Sequence, residues 1–198
     1  DGENSWANRD QILLDYLRQN RFDLLGLQEA LKFQIEEILE ALPVYRFVGV
    51  GRDDGRSAGE FSPILYRFDR FKVLDSGTFW LSDRPQVAGS TSWGNSITRI
   101  CTWADFEERE TKTRFRMFNT HFDHRSQYSR EESARLLVRR IVETTDPVIV
   151  TGDLNAGEEN PAVLILKQGG LDAMHKEPIL RDTFRVLHPE AEKVGTFN

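Results

Sequence analysis

Four polar groups stand where apolar runs end. Glu29 follows Leu24-Leu25-Gly26-Leu27-Gln28, His121 follows Phe115 to Thr120, and Asp153 and Asn155 follow Val148-Ile149-Val150-Thr151-Gly152. A strand end holds a functional group rigidly, and the loop beyond it is free to shape a cleft. Two carboxylates, an imidazole and an amide are the parts of metal-assisted hydrolysis: ligands for a cation, a partner for developing charge, and a group that orients water. Alone, each has a plainer explanation. A Glu after a strand commonly flanks a helix start, a His between Thr and Phe is commonly structural, and Gly-Asp-Leu-Asn is rich in turn formers. Their joint occurrence, each after a strand-like run, points to chemistry.

The elements that must position these groups can be read from periodicity. Ile12, Leu13, Tyr16 and Leu17 fall on one helical face, and Leu31, Ile35, Ile38, Leu39 and Leu42 on another that Pro43 ends. Between them Asp23–Gln28 reads as a short strand. Tyr45–Val50, Phe61–Tyr66 and Phe71–Trp80 follow as strands, and Ile97–Phe106 pairs with Arg114–Thr120 as a hairpin. A third helix is expected from Ser129, with Ser129 and Glu132 as a capping box and Arg135, Arg139 and Arg140 on its wet face. Pro147–Thr151 reads as a strand and Pro161–Gln168 as a helix. Leu24–Leu27 and Val148–Val150 are apolar without alternation, which predicts central strands covered on both faces. Helices on both sides of a strand-rich centre suit two sheets packed face to face with helices outside.

Three motifs carry a resemblance. Leu27-Gln28-Glu29 resembles the Gln-Glu metal motif of the endonuclease/exonuclease/phosphatase superfamily, Asn119-Thr120-His121 its Asn-Thr-His motif, and Thr151-Gly152-Asp153-Leu154-Asn155 its Gly-Asp-Xaa-Asn motif. The match runs from about Asp10 to Asn198. The superfamily includes DNase I-like nucleases, apurinic-site endonucleases, sphingomyelinases, inositol-polyphosphate phosphatases and poly(A) deadenylases. Gly49-Val50-Gly51-Arg52-Asp53-Asp54-Gly55, Phe79-Trp80-Leu81-Ser82 and Thr120-His121-Phe122-Asp123-His124 are similar to a little-characterised, mainly microbial branch nearest the deadenylase-like members.

The resemblance implies an α/β (α+β) fold, a four-layer α/β/β/α sandwich of DNase I type. It implies a metal-dependent phosphoester hydrolase, either a phosphodiesterase or nuclease or a phosphatase. Glu29 would bind Mg²⁺ or Mn²⁺, since a hard oxygen ligand suits a hard cation. His121 would donate to a non-bridging phosphate oxygen. Asp153 would orient or deprotonate the attacking water or assist the leaving oxygen, and Asn155 would hold the phosphate or the nucleophile in line.

Three further residues are candidates for substrate contact. Asp54, with Asp53, sits in a Gly-rich loop and is either a solvated turn or a substrate-contacting one. Arg99 opens a strand and reaches either phosphate or a structural ion pair. His124, with Asp123, lies just past His121 and would line the cleft. Trp93 and Asn95 are candidates for a cleft wall. His175 and His188 fall in an irregular C-terminal stretch and receive no role.

Two expected pieces have no counterpart. Members of the superfamily begin with a strand ending in a metal-binding Asn, whereas Asn4 and Asn8 follow no apolar run. Members end with a strand carrying Asp-His, whereas this chain stops at Gly195-Thr196-Phe197-Asn198. The expectation is one domain over residues 1–198, truncated at both ends and lacking the first and last strands, which leaves sheet edges unpaired. A non-catalytic binding module or an incomplete fragment on the same fold is the alternative.

Bulk properties narrow the partners. The 198 residues are 39% apolar, enough for a sizeable core. The net charge of −6 does not advertise a broad basic face for duplex DNA and favours a small or single-stranded substrate. Among phosphorylated partners, nucleic acid, nucleotide, sugar phosphate and lipid head group all stay open. Cys101, the lone cysteine, excludes an internal disulfide and a cysteine-rich zinc site and reads as a buried thiol. No run approaches the roughly 20 apolar residues of a membrane span. A soluble monomer is expected, cytoplasmic or secreted after signal removal.

Overall fold

The structure, a computed structural model, describes residues 2, 5–169, 178–192 and 194. Among the described residues, seven strands form two sheets. β1 (Leu24–Gly26), β2 (Tyr45–Val48) and β3 (Ile64–Arg67) make an antiparallel sheet in the order β1-β3-β2. β4 (Phe71–Trp80), β5 (Ile100–Glu108), β6 (Arg114–His121) and β7 (Val148–Asp153) make the second in the order β4-β5-β6-β7, with only β6 and β7 parallel. α1 (Trp6–Asn20) and α2 (Lys32–Ala41) cover the first sheet. α3 (Gln127–Ile141) and α4 (Pro161–Gln168) cover the second. The result is the expected α/β/β/α sandwich of DNase I type.

Alternation along the strands sorts the core into layers. On β5 and β6, Cys101 and Phe118 face the helices and pack with Ala134, Leu137 and Ile141 of α3 and Ile165 of α4. Ala104, Phe106 and Met117 face the other way and meet Ile64 and Phe71 between the sheets. On the far side, Leu14 and Leu17 of α1 and Ile38 of α2 pack on Tyr45 and Leu65. His121 shares the inter-sheet face of β6 with Met117 and Asn119, which aims its ring at the groove between the sheets.

Several expectations are corrected. α1 buries Leu14 and Leu17, while Ile12 is 72% and Tyr16 55% exposed, so its buried stripe is rotated from the one the spacing suggests. α3 starts earlier than expected. Its N-cap is Ser126, whose Oγ accepts the Ser129 amide at 3.1 Å, whereas Ser129 lies inside the helix with a buried hydroxyl. The reason lies upstream: the Asp123 carboxylate accepts the Arg125 and Ser126 amides at 2.9 and 2.7 Å and turns the chain into the helix at that point. Pro63 keeps the Phe61–Tyr66 run from being one strand, since proline gives the ladder no donor. Only an isolated Ala30–Phe61 bridge precedes β3. β1 and β7 are sheet edges among the described residues, not central strands. Leu24 and Leu25 are half-buried and Ile149 is 42% exposed. α5 (Thr183–Leu187), capped by Asp182, lies in the stretch expected to be irregular. Among the described residues, no helix is long and apolar enough to cross a membrane.

Candidate active site

The cleft sits at one end of the groove between the sheets, and pairing direction determines what reaches it. Parallel strands end together, so the register sets His121 beside Asp153 at the last positions of β6 and β7. Antiparallel strands bring the start of one to the end of its neighbour. Arg99, just before β5, therefore lies near His121, and Glu60, just before the Ala30–Phe61 bridge, lies near Glu29.

Asn119 fastens this end of the groove. Its Nδ2 donates to Leu27 O at 2.7 Å and Pro63 O at 3.0 Å, and its Oδ1 accepts from Gln28 Nε2 at 2.7 Å and Thr151 Oγ1 at 3.0 Å. Every donor and acceptor of this fully buried amide is used, so one side chain joins the ends of both sheets. Two glycines make room. A Cβ on Gly26 would meet Asn119 Oδ1 and Thr151 Oγ1 at 2.4 Å, and one on Gly152, at φ 156°, would meet Thr120 O at 2.3 Å. Gln28 thus serves the clamp, and its neighbour Glu29 enters the cleft.

Glu29 and Asn155 both adopt left-handed backbone, at φ 57° and 47°. For residues with a Cβ this costs roughly 1–3 kcal/mol each and is kept where surrounding structure demands it, often at functional sites. At Asn155 the demand is visible. Its amide N–H donates to Asp153 Oδ1 at 2.8 Å, and its Nδ2 donates to Phe122 O at 3.0 Å and lies 3.0 Å from His121 Nε2. The bond to Phe122 O fixes which end of the Asn155 amide faces the imidazole. That end is a donor, so Nε2 of His121 is the acceptor in this state. Asp153 Oδ2 lies 3.7 Å from the same Nε2, too far for a direct hydrogen bond. Burial first, and then the Arg99 guanidinium, hold the His121 pKa down to about 4, against the pull of Asp153 and Glu29. The ring is therefore neutral at pH 7, with one donor and one acceptor nitrogen.

Glu29, Glu60 and His121 each offer a ligand atom, all within 4.8 Å of one another. Two carboxylates suit a hard divalent cation, and the imidazole suits a borderline one. Glu60 also accepts from Arg52 Nη1. Glu60 escapes a search for polar groups after apolar runs, because it precedes one. The available signal was a charged pair flanking the Gly-rich loop that leads into Phe61.

The other sequence candidates divide. Arg99 is 4% exposed beside the cleft, with Nη2 3.0 Å from His124 Nδ1 and Nε 3.8 Å from Asp123 Oδ2. His124 is exposed and also receives Arg125 Nε at 3.1 Å. A neutral imidazole has one acceptor nitrogen, so only one of these guanidiniums bonds it at a time. Asp54 is not brought into the cluster. Its Oδ1 accepts the amides of Arg56, Ser57 and Ala58 at 2.8, 2.9 and 2.9 Å, which hold its carboxyl below the usual range and occupy it in building the loop. Trp93 and Asn95 build the loop before β5, bonding Asp83 and the Ser92 amide. His188 ends α5 with its ring 4.9 Å from that of Phe184. Asn4 and His175 lie outside the described residues.

A model of the endonuclease/exonuclease/phosphatase family matches residues 1–195. The chain belongs to this family. A solved family member from Bacteroides vulgatus is 39% identical, with a TM-score of 0.82 over 84% of this chain and 65% of that one. A mannosyl-6-phosphatase from Bacteroides thetaiotaomicron is 36% identical, with a TM-score of 0.78 over 83% of this chain and 64% of that one. The human Nocturnin catalytic domain, at 18% identity and a TM-score of 0.72, shares the fold over 94% of this chain. The chain thus spans about 65% of the length of the two bacterial relatives. Family membership and the four-layer fold agree with the motif resemblance.

Proposed function

We propose that the protein is a divalent-metal-dependent phosphoester hydrolase, with Mg²⁺ or Mn²⁺ as its cation. The observation that carries this reading is convergence. Asn155 and Asp153 stand 3.0 and 3.7 Å from the His121 ring, and the ring and two carboxylates, Glu29 and Glu60, have ligand atoms within 4.8 Å of one another. Glu29 and Glu60 would hold the cation, which when bound neutralises phosphate charge and polarises the P–O bond. Asp153, half-exposed at the mouth, accepts the proton of the attacking water as its oxygen bonds phosphorus. The ester oxygen departs with the P–O electron pair and takes up a proton from solvent. The Asn155 amide and the neutral His121 ring hold the phosphate, and a donor role for His121 requires its proton to move to Nε2 when substrate displaces Asn155. Arg99 and His124 stand at the substrate side.

Likeness to a mannosyl-6-phosphatase at 36% identity and the net charge of −6 both favour a small phosphorylated substrate, such as a sugar phosphate, over duplex nucleic acid. The test is hydrolysis of p-nitrophenyl phosphate and bis-p-nitrophenyl phosphate by the full-length protein with Mg²⁺ or Mn²⁺. Turnover that EDTA and Asp153→Ala both abolish is expected. Turnover that survives either treatment would reject the reading.

A further inference from the structure

A second cavity lies at the other end of the first sheet. Leu24 pairs with Tyr66 and Tyr45 with Arg67, so that end gathers the starts of β1 and β2 and the end of β3, whereas Glu29 follows the end of β1. There a cavity of about 350 Å³ opens between the last turn of α1 and the segment that follows α2. Its volume falls within the roughly 300–1,000 Å³ of small-ligand sites. Part of its lining is apolar, from Leu17, Leu42, Val44 and the Tyr45 ring, whose hydroxyl is already committed to Phe22 O. The rest is three arginines, Arg18, Arg21 and Arg67, and among the described residues no acidic side chain lines the cavity.

The three guanidiniums are unequally engaged. Arg67 gives Nε and Nη2 to Asp69 at 3.1 and 2.7 Å, and its Nη1 stands 3.6 Å from Asp23, beyond hydrogen-bonding distance. Arg18 gives Nη1 to Asp15 at 2.9 Å. Among the described residues the Arg21 guanidinium has no partner. Arg21 is also the C-cap of α1, in left-handed backbone at φ 49°. Its amide closes the helix on Leu17 O at 3.0 Å, a bond that glycine makes without the steric cost of a Cβ. The helix end thus gives no reason for an arginine, and the cavity does.

We propose that this cavity binds a small organic carboxylate with an apolar body. Arg21 holds the head group, helped by the donors that Arg18 and Arg67 have left, and the body lies against Leu17, Leu42 and Val44. The planar fork of a guanidinium matches the two oxygens of a carboxylate. A bare inorganic anion would leave the apolar lining uncovered, and a neutral apolar molecule would desolvate the guanidiniums without pairing them. The site and the hydrolase reading stand apart, and either can fail without the other.

The test is calorimetry of the full-length protein with octanoate, acetate and 1-octanol. Octanoate should bind at least about tenfold more tightly than acetate, through its buried methylenes, and at least about fivefold more tightly than octanol, through its charge. Arg21→Gln should weaken octanoate about fivefold or more and leave octanol unchanged. Arg21→Gly should lose as much octanoate affinity, while its urea midpoint stays at or above that of the wild type because glycine relieves the left-handed backbone. A lower midpoint would show that Arg21 serves the helix end and would overturn the assignment. So would absence of octanoate binding by the folded protein, octanoate bound no more tightly than octanol or acetate, or wild-type affinity in either folded variant.

Discussion

The three-stranded sheet and the loop entering it bring carboxylates to the cleft, Glu29 and Glu60. The four-stranded sheet brings an imidazole, an amide and Asp153, with Arg99 behind them. In the proposed reaction the first set holds the cation and the second handles phosphate and a proton. The division follows from how each sheet is paired. Parallel β6 and β7 present their C-terminal ends side by side, which assembles His121 and Asp153 from two separate apolar runs. The antiparallel neighbours return the chain to the same end from the other direction, which delivers Glu60 and Arg99 from positions before strands. A site at one end of a mixed sandwich therefore draws on strand ends and strand starts alike.

If the division is real, substitutions on the two sides should fail differently. The largest effect is expected from Asp153→Asn, which should lower kcat by roughly 10²–10⁴-fold, the range for losing a positioned base. Its Mn²⁺ affinity, measured by calorimetry, should stay within a few-fold of wild type. Lost metal binding in that variant would erase the distinction between the two rims. Next is Asn119→Ala, which strands Leu27 O, Pro63 O and the Gln28 amide in the buried clamp. Urea unfolding should register a loss of about 3 kcal/mol, since each buried group left unpaired costs roughly 1–3 kcal/mol. A change below about 1 kcal/mol would mean that the sheets are held together elsewhere.

Glu29→Gln should weaken Mn²⁺ binding by about tenfold or more, through loss of a charged ligand, and excess metal should restore part of the activity. Unchanged affinity would remove Glu29 from the metal rim. The smallest effect concerns pH. The His121 pKa falls from 6.5 to about 4 in the fold, so the fold prefers the neutral ring. Its contribution is complete above about pH 6.5 and declines as pH falls toward 4, because the unfolded chain takes up the proton first. In EDTA, the wild type should lose more stability than His121→Asn between about pH 7 and about pH 4.5, and parallel losses would contradict the burial argument.

Much of this arrangement was legible in the sequence, and the limits are physical. Glu29, His121, Asp153 and Asn155 announced themselves because a run of apolar residues stops at each, and the four layers follow from helices flanking a strand-rich centre. Glu60 was silent because what brings it to the cleft is pairing between distant segments, which local pattern does not encode, and Arg52 was visible only as one residue of the Gly49–Gly55 run. Asp54 stayed open between a solvated turn and a substrate contact because a carboxylate among glycines has the same local signature whether it faces a substrate or its own loop amides. Ile12 and Tyr16 share a helical spacing with Leu17 but not its burial, since tertiary contact and not periodicity decides which stripe of α1 is covered. The unalternating apolar runs Leu24–Leu27 and Val148–Val150 read as burial on both faces, yet edge or centre is a property of neighbours.

The Asn119 clamp also sets an order of events during synthesis. Gln28 and Asn119 are 91 residues apart, and Thr151 must follow before the amide has all its partners. At translation rates of about 5–20 residues per second, Glu29 waits on the order of 5–20 seconds before the strand that completes its cleft exists. Contacts of such long sequence separation also form late in folding, after local helices and hairpins. The nascent chain therefore carries Glu29 and Glu60 before Asp153 and Asn155 exist, and a chain stalled before Thr151 has no assembled cleft.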